Sequence, residues 1–304
     1  MEDFRTVGAR LRNWGRWGAT DERGTVNFVT PDKIVAAGQL IRTGKVFDLG
    51  IPFDDRGPQP GGGRINPVHL MSQTGDRQIF PGGFQYADDY IFMPLQGASQ
   101  WDALAHVYYD GQLYNGYPSN DVTVRGAFHC SIEHQGKGIA GRGVLLDIAR
   151  LKGVDWLERS YVITPADLDA AAANQGVEVG SGDIVLFRTG WRKKFLSDGS
   201  ATDFMNGEPG LGQDCCEWLH RHEAAAVASD NWAIEVLPGE DPSVVFNVHM
   251  ILIRDMGMTL GEILDLEELA ADCAADGVWE FFFAAPVLKV TGGVGSPINP
   301  LVFK

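Results

Sequence analysis

The sequence predicts one domain of the α/β or α+β class. The chain has 304 residues, which is enough for one large domain or two smaller ones. Helix-like and strand-like segments mix along its length without the regular alternation of a doubly wound fold. Neither an internal repeat nor a low-complexity linker divides the sequence. We therefore expect a single folded unit.

Short apolar runs predict the strands. Residues 142–150 (RGVLLDIAR) and 182–191 (GDIVLFRTGW) have the continuous apolar character of buried strands. Residues 45–53 (KVFDLGIPF) and 281–290 (FFFAAPVLKV) are predicted to be strands as well. The strand segments therefore come from both ends and from the middle of the chain.

Helical spacing and capping residues predict the helices. Residues 32–44 (DKIVAAGQLIRTG) have helical spacing and end on a glycine. Residues 164–176 (TPADLDAAAANQG) combine a Thr N-cap, a Pro at the first helical position and a closing Gly. Residues 215–230 are predicted to run from a helix into a strand, and residues 259–277 contain a further helix.

Residues 54–64 (DDRGPQPGGGR) are predicted to form a mobile flap. The segment contains three consecutive glycines and lies between two more regular segments. Loops of this length and composition without secondary structure of their own are often binding loops.

The charge balance excludes some classes of function. The chain carries 25 basic and 40 acidic residues, a formal net charge of -15. Such a surplus of negative charge repels polyanions, so we expect no nucleic-acid partner. A glycine-rich dinucleotide motif after a strand and a P-loop lysine are both missing from the sequence, which leaves nucleotide binding without support.

The cysteines and the apolar segments favour a cytoplasmic protein. No C-x-x-C pair occurs among the four cysteines, so a disulfide framework or a cysteine zinc site is not expected. The first residues lack a signal-peptide core, and no apolar run approaches the roughly 20 residues that span a bilayer. We expect no membrane partner.

The first candidate site lies in residues 95–107 (LQGASQWDALAHV). Gln100, Asp102 and His106 stand in an otherwise apolar run. They share a face on a strand, and Asp102 and His106 also share one on a helix. An Asp and a His at this spacing suit a general acid/base pair or a metal site. The structural alternative is an Asp that caps a turn and a His that is satisfied in the core.

The second candidate site lies far downstream, in NVHMILIRDMGMTLGEILDLEEL. His249 and Glu262 stand at opposite ends of an apolar stretch that turns at Gly257. A strand or helix followed by this turn could return Glu262 to His249. Alternatively, Glu262 belongs to a first helical turn, where an acid is favourable near the helix N-terminus.

Taken together, these segments resemble the cyclase family whose known members include kynurenine formamidase and isatin hydrolase. The resemblance covers most of the chain. It rests on the segments QGASQWDALAH, GRGVLLD, GDIVLFRTGW, VASDNWAIE, HMILIRDMGMTLGEILDL and VLKVTGGVGSPINP. It implies a single compact α/β domain of the swivelling β/β/α type over residues 1–304, with a mixed sheet, flanking helices and an N-terminal extension over about residues 1–45. It also implies a homodimer or homotetramer.

The family motif H-x-G-T-H-x-D-x-x-x-H falls on residues 96–106. Its first two histidines correspond to Gln96 and Gln100, its Thr to Ser99, its Asp to Asp102 and its last His to His106. In the formamidases the first two histidines and the Asp bind one divalent metal. The Asp, a downstream His and a downstream Glu bind a second metal. The downstream ligands correspond to His249 and Glu262, with a spacing one residue longer than in the short formamidases.

This correspondence predicts one divalent metal ion, zinc or manganese, in place of two. Glutamine is a weak, neutral ligand and a poor substitute for imidazole on zinc. The first metal site is therefore expected to be lost. The second keeps Asp102, His249 and Glu262, with His106 as the acid/base residue or a fourth ligand.

The expected function is metal-dependent hydrolysis of a small cyclic or acyl amide, or of a lactone. A bound ion would activate water and polarise the carbonyl, and His106 and Asp102 would carry the proton chemistry. Gln96, Gln100, Trp101 and Tyr108 are the predicted substrate-binding residues. Two alternatives stay open: a metal-independent lyase or cyclase that uses Asp102 and His106, and a degenerate member that binds a ligand without turnover.

Overall fold

The structure is a computed structural model that describes residues 1–61, 63–76, 79–137 and 139–304. Nine α-helical segments occur in these residues: α1 (Phe4–Leu11), α2 (Pro31–Gly38), α3 (Ile148–Leu151), α4 (Pro165–Gln175), α5 (Trp191–Asp198), α6 (Ala201–Met205), α7 (Cys215–Arg221), α8 (Asn247–His249) and α9 (Glu267–Asp276). Helix α8 continues as a π-helical segment over Met250–Met256. Short 3-10 helices occur at Gly24–Phe28, Pro81–Gly83, Tyr114–Gly116, Ser119–Asp121 and Ile132–Gln135.

The strands in these ranges are β1 (Val46–Asp48), β2 (Val68–Gln73), β3 (Asp88–Phe92), β4 (Gln100–Asp102), β5 (Val122–Thr123), β6 (Gly126–Ala127), β7 (Ile139–Asp147), β8 (Val162–Ile163), β9 (Ile184–Arg188), β10 (Gly210–Leu211), β11 (Ala226–Ser229), β12 (Thr259–Glu262), β13 (Glu280–Ala285), β14 (Gly295–Pro297) and β15 (Leu301–Phe303).

One large mixed sheet organises the described part of the chain. Its strand order is β1-β15-β13-β7-β9-β11-β12-β4-β14. The strands β7, β9, β11 and β12 run parallel to one another, and the remaining neighbours in the sheet pair antiparallel. The prediction of a single α/β domain with a mixed sheet and flanking helices is confirmed.

Both faces of the central strands are covered by apolar side chains. Along β9, Val185 and Phe187 belong to one core cluster, whereas Ile184 and Leu186 belong to the other. Strands that are buried on both faces typically have continuous apolar sequences, and for this reason the sequence of residues 182–191 predicts a buried strand. The core therefore lies on the two sides of the sheet, and polar groups of the candidate site belong to the neighbouring strands β4 and β12.

Several element boundaries differ from the sequence prediction. The strand predicted at 142–150 ends at Asp147, because the Asp147 side chain accepts the backbone N–H of Arg150 and begins α3. The helix predicted over 32–44 ends at Gly38. The helix predicted at 164–176 is present as α4, with a capping box between Thr164 and Asp167.

The residues of strands β2 and β3, which pair antiparallel, are all exposed. Large apolar side chains are exposed along them: Val68, Leu70, Met71, Tyr90, Ile91 and Phe92. A two-stranded hairpin without a covering layer is marginally stable by itself. The homodimer or homotetramer implied by the resemblance stays a prediction.

Helices of membrane-spanning length and apolarity do not occur in the part of the chain that the structure describes. The four cysteines are all buried as free thiols. The predicted flap, residues 54–64, is a loop between β1 and β2. Residue 62 lies outside the described residues, and the mobility of this loop stays a prediction.

Replacement of Gly261 by Ala is expected to destabilise the fold. A Cβ at this position would lie 2.5 Å from the Trp101 ring and 2.7 Å from the Ala228 Cβ, so β4 or β12 would have to shift. Overpacking of this kind costs about 1–3 kcal/mol in the free energy of unfolding. Urea unfolding measures it. The control is Gly38→Ala, where a Cβ meets no atom within 4 Å; equal stability of the two variants would contradict this packing.

Candidate active site

The pairing of β4 with β12 brings three polar side chains to one face of the sheet. Gln100 lies opposite Glu262, and Trp101 lies opposite Gly261. Because side chains alternate along a strand, Asp102 shares the face of Gln100, and Trp101 points to the other face. The Gln100 Nε2 group donates to Glu262 Oε2 over 2.5 Å. The first candidate site is thus a strand followed by a turn.

His249 completes this group from α8. Its Nε2 atom lies 3.1 Å from Glu262 Oε1 and 3.9 Å from Asp102 Oδ2. One potential ligand atom from each of Asp102, His249 and Glu262 falls within 4.8 Å of the others, and all three residues are buried. The two sequence clusters therefore converge, although more than 140 residues separate them.

Glu235 fixes the orientation of the His249 ring. Its Oε1 atom lies 2.5 Å from His249 Nδ1 and accepts the backbone N–H of His249 over 2.9 Å. Its Oε2 atom accepts the N–H of Val248. A carboxylate on Nδ1 leaves Nε2 directed at Asp102 and Glu262. Such carboxylate–histidine pairs are typical around protein metal sites.

A second buried carboxylate holds the loop that carries Glu235. Glu208 accepts the N–H groups of Trp232 and Ala233, each over 2.7 Å. Burial raises the pKa of Glu208 well above its usual range, and these two hydrogen bonds oppose the shift. Asp230, at the start of the same loop, accepts the N–H groups of Thr189 and Gly190. Asp230 therefore caps a neighbouring turn and fixes the loop from behind.

Asp102 is the least satisfied group in the site. Both of its carboxylate oxygens are buried and find no hydrogen-bond donor among the described residues. Burial raises the pKa of Asp102 to about 6; His106 and His249 lower it, and Glu262 adds to the increase. An ionised carboxylate in such surroundings is costly unless a cation or a donor compensates it.

The two histidines have opposite electrostatic environments. Burial disfavours the charged form of His249, but hydrogen bonds to Glu235 and Glu262 outweigh it and raise its pKa to about 10. Burial lowers the pKa of His106, Asp102 opposes this shift, and the positive charge of Arg64 adds to it. His106 Nε2 lies 3.8 Å from Asp102 Oδ1. A neutral imidazole thus stands beside the unsatisfied carboxylate.

These groups line a pocket with a volume of about 490 Å³, which includes its opening to solvent. Aromatic side chains from the neighbouring loops line it together with the polar groups described above. The lining residues are Arg64, Asp102, His106, Val107, Trp232, Ala233, Phe246, His249 and Glu262. A concave site with apolar walls and a few convergent polar groups is typical of small-molecule binding.

The family model described as Putative cyclase matches residues 47–236. The chain belongs to this cyclase family. An isatin hydrolase of Roseibium aggregatum is 30% identical over 142 residues, which are 45% of this chain and 50% of that protein. The alignment thus spans about half the length of this relative.

Solved structures share the cyclase fold. A crystal structure described as a novel cyclase is 45% identical and has a TM-score of 0.91, with 98% of this chain and 99% of that chain covered. Isatin hydrolase A from Labrenzia aggregata, bound to benzyl benzoate, is 18% identical and has a TM-score of 0.64, with 89% and 97% covered. The second likeness concerns the fold alone.

The four predicted substrate-binding residues lie in different surroundings in the structure. The Gln100 side chain donates a hydrogen bond to Glu262. The Gln96 amide packs closely against Gly295: a Cβ added to this glycine would lie 2.3 Å from Gln96 Nε2. Tyr108 is 41% exposed. Trp101 is not brought to the pocket, because strand alternation turns its ring into the core, where Nε1 donates to the Ala285 carbonyl.

Sequence reasoning missed Glu235, Trp232, Phe246 and Arg64. Trp232 and Glu235 both lie in the segment VASDNWAIE, where Glu235 follows the short apolar run of residues 232–234; this was the available signal for Glu235. Arg64 belongs to the predicted flap, and Phe246 precedes α8. No periodicity in the sequence marks either of the last two.

Proposed function

We propose that this cyclase-family protein hydrolyses a small cyclic amide or lactone with the help of one divalent metal ion. The observation that carries the proposal is the buried Asp102 carboxylate, which lacks a donor among the described residues and lies beside His249 and Glu262 at the pocket. Family membership and the partial similarity to an isatin hydrolase support hydrolysis of a cyclic amide.

The donor set fits one divalent ion. One imidazole nitrogen and two carboxylates match catalytic zinc sites with three protein ligands and an open position, and manganese accepts the same atoms. Glu235 on Nδ1 leaves the Nε2 atom of His249 for the ion. When bound, the ion would lower the pKa of a water molecule and polarise the substrate carbonyl.

The two glutamines at the positions of the family's first metal site argue against a second ion. The Gln100 amide N–H donates to Glu262, so this position presents a hydrogen-bond donor to the carboxylate where the family has an imidazole. Gln96 Nε2 is buried against Gly295. Neither side chain offers a soft or charged ligand.

His106 is the proposed acid/base residue. Its lowered pKa keeps the imidazole neutral near pH 7, so its Nε2 atom can accept a proton. A water oxygen would bond to the carbonyl carbon while His106 takes the water proton. The C–N or C–O bond then breaks, and His106 returns the proton to the leaving nitrogen or oxygen. Asp102, 3.8 Å away, stabilises the imidazolium form between these two steps.

The pocket walls favour a substrate with a flat ring. The Trp232 and Phe246 rings have centroids 6.2 Å apart, and Phe246 packs edge-on to His249 at 5.2 Å. Aromatic side chains bind ring substrates through large apolar contact areas. The substrate class is accordingly tested with isatins, N-acyl anilines and aromatic lactones.

We expect about one tightly held divalent ion per chain, because three ligands remain and two imidazoles of the family pattern are glutamines. Elemental analysis of gently purified protein measures this ratio, and His249→Ala should lower it toward zero. Two ions per chain would contradict the proposal. No ion even after reconstitution would favour a metal-independent lyase or cyclase that uses Asp102 and His106.

The His106→Ala variant should lose turnover by about 100-fold to 10,000-fold, because the proton acceptor is gone, while its metal content stays unchanged. Steady-state kinetics on the best substrate of the panel and elemental analysis measure the two quantities. The control is His134→Ala, a histidine beside Glu22 that does not line this pocket. Loss of metal together with turnover would show that His106 is a ligand. No turnover by wild type on any substrate would favour a protein that binds without catalysis.

The Glu235→Gln variant should bind Zn²⁺ about 10-fold to 100-fold more weakly, because a neutral amide replaces the carboxylate that orients His249. Competition with a fluorescent zinc chelator measures the change in affinity, and circular dichroism checks the fold. Glu268→Gln, at an exposed position of α9, is the matched control. Wild-type affinity in Glu235→Gln would show that this hydrogen bond does not support the ion.

A further inference from the structure

Arg64 is a cation that lines the pocket. No carboxylate oxygen of the described residues forms a salt bridge with its guanidinium, although acidic residues outnumber basic ones by 40 to 25 in the chain. Arg56 of the same loop, in contrast, does form a salt bridge. Arg56 is exposed and holds Asp54 through two nitrogens, at 3.1 and 2.6 Å.

The loop presents Arg64 to the pocket through specific hydrogen bonds. Asn66 accepts the N–H of Gln59 and donates to the carbonyls of Asp55 and Gln59, which closes the loop on itself. Gln59 is buried, and its side chain reaches the Gln96 carbonyl over 3.5 Å. Arg64 is therefore held above the site by the backbone around Gln96.

The hydrogen-bond contacts of the guanidinium are with neutral groups. Nη1 reaches the Gln96 carbonyl over 3.4 Å, and Nη2 lies 3.4 Å from His106 Nε2. Both distances are long for hydrogen bonds, and both partners are neutral. The Trp232 ring lies 5.7 Å from the guanidinium carbon, at the outer limit of a cation–π contact. Asp102 and Glu262 line the same pocket but belong to the proposed ion site.

We propose that Arg64 is the recognition residue for a carboxylate on the substrate, so that the pocket selects ring compounds that carry an anionic group. Guanidinium matches a carboxylate with two parallel N–H donors. The substrate ring would pack against the Trp232 and Phe246 side chains that line the pocket. The bond to be broken would face Asp102, His249 and His106. The position of the bond to be broken rests on the proposed function. The binding of the anionic group by Arg64 does not depend on it.

Arg64 also lies beside the proposed acid/base residue. Its Nη2 atom is 3.4 Å from His106 Nε2, which is long for a hydrogen bond. A substrate carboxylate bound to Arg64 would therefore lie close to His106.

The experiment compares benzoate with benzamide, which have the same ring and differ in charge. Ligand-observed NMR at millimolar concentrations gives Kd for both, in protein as purified and after removal of metal by a chelator. The variants are Arg64→Gln, Arg64→Lys and the control Arg56→Gln. Wild type should bind benzoate at least about 10-fold more tightly than benzamide in both preparations, because charge-assisted bidentate pairs are the strong hydrogen bonds.

Arg64→Gln should bring the two Kd values to within about twofold by weakening benzoate alone, and Arg64→Lys should keep part of the preference. Arg56→Gln should match wild type. Equal binding of benzoate by wild type and Arg64→Gln would overturn the proposal, because the carboxylate would then be held elsewhere, for example by the ion. Equal weakening of both ligands, or no benzoate binding by wild type, would also overturn it.

Failure of this inference is distinguishable from failure of the proposed function. Arg64-dependent binding of benzoate without turnover of any amide or lactone would support the anion site and contradict the hydrolase. Turnover that is the same for substrates with and without a carboxylate, and unchanged in Arg64→Gln, would support the hydrolase and overturn the role of Arg64.

Discussion

The hydrogen bond between Glu235 and His249 is the interaction on which the site depends most. It joins the loop after β11 to the start of α8, because the same carboxylate also accepts the N–H groups of Val248 and His249. Because Nδ1 is held in this way, the orientation of the His249 ring is fixed and its Nε2 atom points toward Asp102 and Glu262. Both partners are buried, so water does not weaken the contact. A small rotation of this ring would separate the two halves of the site, which come from β4 and from the C-terminal third of the chain.

The backbone around these groups is strained at three positions that flank them. Ile234 precedes Glu235, Ile263 follows Glu262, and Phe246 begins α8, and each has a φ between +57° and +60°. A left-handed conformation is unfavourable for β-branched and aromatic residues, at about 1–3 kcal/mol each, and tends to persist where function requires it. Here the surrounding hydrogen bonds hold it. The N–H of Ile234 donates to the Asn231 side chain, and the N–H of Ile263 donates to the Asn231 carbonyl. Asn231 therefore links both glutamates of the site through the backbone next to them.

The sequence predicted those parts of the fold and site that depend on local pattern. Continuous apolar runs predicted β7 and β9, and the Thr–Pro start and Gly end predicted α4. The resemblance to the cyclase family, and not local pattern, predicted that Asp102, His249 and Glu262 lie together, as they do in the structure; their role as ligands stays a prediction. The residues that it did not predict depend on tertiary contacts. Glu235 and Arg64 reach the site from loops without regular secondary structure, whose course is set by hydrogen bonds of the Glu208 and Asn66 side chains to the backbone. Trp101 could not be assigned to a face until β4 was known to be a strand, since on a helix the residue would have pointed elsewhere.

The glutamines at positions 96 and 100 change the charge balance of the site as well as its ligands. Four buried carboxylates, those of Asp102, Glu208, Glu235 and Glu262, lie in this region. Two imidazoles and a second divalent ion would have offset part of their charge. Neutral amides at these positions offset less of this charge. Burial raises the pKa values of Asp102 and Glu208, and hydrogen bonds to Glu235 and Glu262 raise that of His249. One divalent ion at Asp102, His249 and Glu262 would place two positive charges among these carboxylates. Arg64 supplies a further positive charge at the pocket, and in our proposal a substrate carboxylate, in place of a side chain of the described residues, binds it.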